Sequence, residues 1–208
     1  MIALRGLARY AMPQPASSEP AHCELCSAPI DDLHRHVFDS GSADPSPARS
    51  VRCACQACAV LFASGTRFRT VPDRVRRDAS FALDAAGWAH LGVPVALAFL
   101  VRSGSATRVG YPGPAGVIDG ELDDTVWARV ADATPLAGEL ADDVEALLVH
   151  GERGARQLAC YLVPITRAYE LAGALRETWQ GFSGGDAATA MLSRFFTALD
   201  RDAARGGP

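Results

Sequence analysis

Cys23-Glu24-Leu25-Cys26 and, 28 residues further on, Cys55-Gln56-Ala57-Cys58, with Cys53 just ahead, decide how the front of this chain folds. A C-x2-C turn lets two thiolates converge on one ion, because the chain reverses and backbone N–H groups face the sulfurs. Two such turns, each on a hairpin, complete a tetrahedral four-cysteine site. Ligation also supplies the stability that so short a segment cannot draw from its thin core. The symmetrical ligand set is Cys23, Cys26, Cys55 and Cys58. Cys53 lies two residues before Cys55, so on an extended strand it faces the same side and is an alternative ligand, or else a small buried residue. His34 and His36 are the next candidates, since imidazole suits zinc. Their plainer reading is a polar strand face or a contact that orients a ligating sulfur. His22, beside Cys23, is expected to be exposed, and Cys160, far off in sequence, to pack in a strand.

Zinc is the expected metal and iron the alternative, because a tetrahedral thiolate site suits both. Rubredoxin-like iron sites follow each pair with Gly; here Ser27 and Ala59 follow. Five clustered cysteines admit an iron–sulfur cluster, but the spacing matches neither ferredoxin pattern.

Around this segment, 208 residues with 49% hydrophobic and 21% charged side chains suffice for one medium domain or a small module joined to a larger one. Disorder throughout and fibrous architectures are excluded. The chain has no Lys and no Asn, and its 20 basic residues are all Arg. Codon bias in a GC-rich genome accounts for this, and the absences remove Schiff-base lysines, phosphate-loop lysines and catalytic asparagines. Residues 1–78 carry 10 Arg against 8 acids and residues 79–208 carry 10 against 16, for a net charge of −4. The acidic rear argues against nucleic acid as the main partner. Met1–Ala11 carries Arg5 and Arg9 but lacks the apolar stretch of roughly 7–15 residues that secretion needs. The longest apolar run, Val93 to Val101, falls short of the roughly 20 residues that span a bilayer. The expectation is a cytoplasmic protein without membrane insertion, where clustered cysteines bind metal more often than they form disulfides.

Along the chain, residues 1–20 read as a flexible N-terminus and 21–65 as a Cys-rich, zinc-ribbon-like module with a loop at Ser40–Pro47. Residues 66–78 read as an Arg-rich connector and 79–208 as an α+β domain, an antiparallel sheet packed with helices. In that domain Ser80 is expected to cap a short helix carrying Phe81, Ala85 and Trp88. Val93 to Val101, apolar without alternation, predicts a strand covered on both faces. Ser103-Gly104-Ser105 turns it into a partner strand, Thr107 to Tyr111, ended by Pro112-Gly113-Pro114. Asp123 to Ala133 predicts a helix, and Val144–His150 with Gln157–Val163 a hairpin turning at Gly151–Gly154. Two helices finish the chain. The first runs from about Thr166 to Gln180, with Tyr169, Ala172, Leu175 and Trp179 on one stripe. The second is capped by Asp186 and packs through Met191, Leu192, Phe195, Phe196 and Leu199.

Other signals are weaker. Arg67, Arg69, Arg74, Arg76 and Arg77 fall in an eleven-residue window, either an anion-binding strip or a connector paired with acids of the rear domain. Asp123-Asp124 and Asp142-Asp143 suit helix starts and turns better than carboxylate chemistry. There is no G-x-S-x-G, no phosphate-binding glycine loop and no dinucleotide fingerprint. The C-x2-C, paired-His, C-x2-C order resembles treble-clef nucleases of the His-Asn-His type. Those need His or Asn after the second pair, and the chain has no Asn, nor a His between Cys58 and His90.

Several stretches together resemble one family: the two cysteine pairs, Leu33-His34-Arg35-His36, Val71-Pro72-Asp73-Arg74-Val75, Tyr111-Pro112-Gly113-Pro114-Ala115-Gly116, Tyr161-Leu162-Val163-Pro164-Ile165 and Trp179-Gln180-Gly181-Phe182-Ser183-Gly184-Gly185. It is an uncharacterised, mostly actinobacterial family of unknown function, often encoded near uptake nickel–iron hydrogenase genes, and the likeness covers nearly all of the chain after residue 20. The resemblance implies a context without an activity, with the cysteine pairs a family feature. The leading expectation is a non-enzymatic metal-binding accessory or adapter protein. Its partner would be a protein, with hydrogenase or its maturation factors the context the resemblance offers. The alternatives are a rubredoxin-like iron protein passing electrons through a four-cysteine site and a zinc-ribbon nucleic-acid binder.

Overall fold

A computed structural model describes residues 21–42, 50–63, 65–113, 116–151, 158–178 and 185–205. The N-terminal stretch 1–20, most of the 40–47 loop, the turn after Gly151, Trp179 and Gly184 lie outside the described residues. The architecture is mixed α+β with two antiparallel sheets. The front sheet has three strands in the order β2-β1-β3: β1 Arg35–Asp39, β2 Val51–Ala54 and β3 Phe68–Thr70. Between β2 and β3 lies helix α1, Gln56–Phe62.

The larger sheet has six strands in the order β4-β9-β8-β5-β6-β7. They are β4 Arg76–Asp78, β5 Leu97–Ser103, β6 Ala106–Gly113, β7 Gly116–Leu122, β8 Glu145–Gly151 and β9 Leu158–Pro164. Strands β5, β8 and β9 alternate between two apolar layers. Leu97, Phe99, Ala146, Leu148, Tyr161 and Val163 face helices α4 (Ile165–Thr178) and α5 (Gly185–Arg205). Ala98, Leu100, Leu147, Val149, Cys160 and Leu162 face Phe81, Leu91, Trp127, Val130 and Leu136, contributed by α2 (Ala85–His90), α3 (Asp124–Ala133) and their flanks. Both faces are buried, so the strands need apolar residues at every position, and this is why Leu97–Val101 shows no alternation; Val93–Ala96, expected to belong to the same strand, form a bend ahead of it with Pro94 and Ala96 exposed.

Several local expectations change. The helix expected from Ser80 starts at Ala85 and is capped by Asp84, whose Oδ1 accepts the Gly87 N–H at 2.7 Å. Ser80 instead donates to Asp78 Oδ1 at 2.6 Å, while Phe81 is buried outside the helix. Pro112 does not end its strand: β6 runs through it and pairs with β7, a strand the turn-rich sequence hid. Asp186 lies in the first turn of α5 rather than at its cap. Asp123 caps α3 as expected, accepting from the Thr125 N–H at 2.8 Å.

The stretch 66–78 supplies a strand to each sheet, and its arginines are neutralised one by one. Arg67 pairs with Asp39, Arg69 with Asp143, Arg74 with Glu145, Arg76 with Glu139 and Arg77 with Asp200. Of the two readings of this strip, pairing with rear-domain acids is the one observed for four of the five. Phe38 and Val51 of the front sheet pack against the α4/α5 layer, and Arg35 pairs with Asp73 in the link between β3 and β4.

Candidate metal centre

The first cysteine pair sits in a tight knuckle between residues 22 and 29. The Cys23 N–H donates to Ala28 O and the Ser27 N–H to Cys23 O, both at 2.8 Å, and His22 bridges to Pro29. Closing this turn puts Ser27 at φ 61°, the left-handed region that a Gly after the pair would fill without strain. The knuckle is anchored to the hairpin from two sides. The Glu24 N–H donates to Cys53 O at 2.9 Å, and Glu24 Oε2 accepts the Cys53 N–H at 2.5 Å.

The second pair stands on a helix start, a correction to the expected second hairpin turn. Cys55 is the N-cap of α1, its Sγ accepting the Cys58 N–H at 3.4 Å. A sulfur there does what Ser or Asp does at other N-caps. A C-x2-C spacing fits both a knuckle and a helical turn, so spacing alone does not separate them.

These elements bring the sulfurs of Cys23, Cys26, Cys55 and Cys58 within 4.8 Å of one another. The Cys26–Cys55 sulfur separation is 3.7 Å. Four thiolates about 2.3 Å from a tetrahedral ion stand roughly 3.8 Å apart, so the observed edge has the size the ion requires. A disulfide would bring them to about 2.05 Å. Cys23 and Cys58 are buried and Cys26 exposed, which leaves one edge of the centre at the surface.

Burial opposes ionisation of Cys23, but backbone hydrogen bonds from Cys55, Leu25 and Cys26 outweigh it and bring the thiol down to about 6. Cys58 moves the other way, up to about 12, through its contact with Cys26, its burial and the neighbouring Cys55 and Cys23. One thiolate therefore forms readily and accumulating a second meets resistance. A cation at the centre removes that resistance.

Cys53, His34 and His36 do not join this cluster. They form a group of their own, with one donor atom from each within 4.8 Å of the others. Cys160 is fully buried in the sheet, where burial pushes its thiol up to about 12. Asp142 and Asp143 are turn residues: Asp142 accepts the Gly104 N–H at 3.0 Å, and Asp143, at φ 61°, pairs with Arg69.

The site is a four-cysteine cluster on a knuckle, hairpin and helix, joined to an antiparallel sheet between helical layers. The sequence profile of a family of unknown function, DUF5947, matches residues 22–203, and the chain belongs to that family. No curated protein and no solved structure matches it. Among the described residues, no helix is long and apolar enough to cross a membrane.

Proposed function

We propose that this protein is a metal-binding accessory protein in which a zinc ion, held by Cys23, Cys26, Cys55 and Cys58 in a zinc-ribbon-like site, rigidifies the front module as a docking surface for a protein partner. The observation that carries the reading is the four-sulfur cluster, with an edge that fits a tetrahedral ion. Zinc is favoured over iron because the two pairs are unlike: one is a knuckle and the other a helix start, rather than two matching knuckles that each aim several N–H groups at sulfur. Helix α1 exposes Val60 and Leu61, and Leu33 is 91% exposed on the same module. Exposed aliphatic side chains on a small rigid module support a protein-facing role. The arginine strip, engaged by carboxylates, offers little to nucleic acid. Hydrogenase or a factor in its assembly is the partner class that the family resemblance suggests, in the cytoplasm.

The test is to purify the full chain without a metal-binding tag, measure its metal content and record a visible spectrum. A colourless protein with zinc bound at the four-cysteine centre supports the reading. A red, reducible protein with iron there would replace it with electron transfer.

A further inference from the structure

We propose that His34, His36 and Cys53 form a second metal site, separate from the four-cysteine centre, that takes a divalent ion of the zinc class and leaves one coordination position open to an exogenous ligand. Two rules of strand geometry assemble it. His34 and His36 are two residues apart on extended chain entering β1, so their side chains leave the same face. Cys53 is the direct cross-strand partner of His36, and such pairs bring Cβ atoms to about 5 Å. The result is one donor atom from each residue within 4.8 Å of the other two, and the two imidazole centroids are 4.7 Å apart.

The hydrogen bonding of His34 selects its ligand atom. Its Nδ1 lies 2.7 Å from Asp31 O; a carbonyl only accepts, so Nδ1 carries the proton. Nε2 is then the lone-pair nitrogen, and it is buried without a hydrogen-bond partner. A ring nitrogen fixed by a backbone carbonyl on one side, with an unsatisfied lone pair on the other, is the arrangement of a metal-ligating histidine. Two imidazoles and a thiol are a borderline-soft set that selects zinc-class ions over magnesium or calcium. Tetrahedral zinc with these donors needs separations of roughly 3.3–3.6 Å, within reach of side-chain rotation from the observed limit. With three protein ligands, the fourth position falls to water or to a group brought by a partner. None of the four cysteines of the first centre is used. The Cys53 carbonyl nevertheless accepts the Glu24 N–H of the first knuckle, so the two sites share a scaffold.

Cobalt(II) titration of the metal-free full chain tests this by visible absorption. Two equivalents are expected, the first with the strong sulfur charge-transfer of a four-thiolate site and the second with weaker bands. The double variant His34→Gln, His36→Gln should lose the second equivalent and keep the first. One equivalent in the native chain, or two in the variant, overturns the proposal. If the variant loses both, nitrogen-15 shifts of the native histidine rings decide: movement of His34 and His36 with the second equivalent of zinc supports the site, and unmoved rings overturn it. Azide should shift only the bands of the second ion, and unmoved bands would overturn the open position. A chain without the four-cysteine centre would instead lack the first, sulfur-rich signature, so the two failures are distinguishable.

Discussion

The front module buries Cys23, Val37, Ala54, Cys58 and Ala59, a core of five side chains of which two are cysteines of the cluster. The six-stranded domain buries two apolar layers, with Leu100, Leu147, Leu148 and Leu162 wholly inaccessible. The two regions lie on one chain and meet across ion pairs, yet their stability has different sources. In the domain, burial on both faces of the sheet suffices. In the module the sulfurs themselves fill the core, so the ion that draws them together would hold both site and fold. A small segment can thus be well ordered on one side of Val71 while a conventional core operates on the other.

The comparison breaks most sharply at the cysteines. Cys26→Ser, or a chelator, should release the ion and unfold the module while the domain keeps its circular dichroism; structural zinc in small peptides contributes about 10–16 kcal/mol. Metal analysis and spectroscopy on the variant check this. In the domain the corresponding change is Leu147→Ala, expected to cost roughly 2–5 kcal/mol in urea unfolding without altering the metal content of the folded protein.

Next comes the ion pair behind the junction. Glu145 is fully buried, accepting from Arg74 Nε at 2.6 Å, Arg74 Nη2 at 2.7 Å and the Ala141 N–H at 3.0 Å. Arg74→Ala strands that carboxylate and should cost about 3 kcal/mol, read from the same urea transition. Replacing both partners with apolar residues should recover most of it.

Acidity divides the module's own cysteines. Cys23, lowered to about 6, is already a thiolate at pH 7, whereas Cys58, at about 12, still carries its proton. So does Cys26, where the Ala28 N–H favours the thiolate but contacts with Cys23 and Cys55 raise the thiol. Metal binding at pH 7 therefore expels at least two protons, and affinity should rise by roughly a hundredfold or more per pH unit between 7 and 8. Below pH 6 Cys23 also takes up a proton and the dependence steepens. Competition with a chromophoric chelator across that range measures the slope. The smallest effect is expected at Ser27: Ser27→Gly relieves its left-handed backbone and should stabilise the metal-loaded module by about 0.5 kcal/mol.

Much of this was legible in the residues. Spacing alone marked Cys23, Cys26, Cys55 and Cys58, and the unbroken apolar run of β5 announced a strand buried on both faces. Composition hid other features. Pro112-Gly113-Pro114 read as the end of the strand, although proline is tolerated beside a sheet edge, where β6 pairs with β7. Phe81 looked helical by its spacing to Ala85 and Trp88, but the Asp84 side chain caps the helix after it. The separation of Cys53 from Cys55 could not be read from parity. The chain leaves β2 after Ala54, and Cys55 turns to cap a helix while Cys53 stays opposite His36.

Amide hydrogen exchange of the full chain, metal-loaded and then chelated, tests the central claim most directly. Metal-held folding predicts that protection in β1, β2 and α1 collapses on chelation while β5, β8 and β9 exchange as before. A module that stays protected without metal, or a domain that opens with it, would contradict the account.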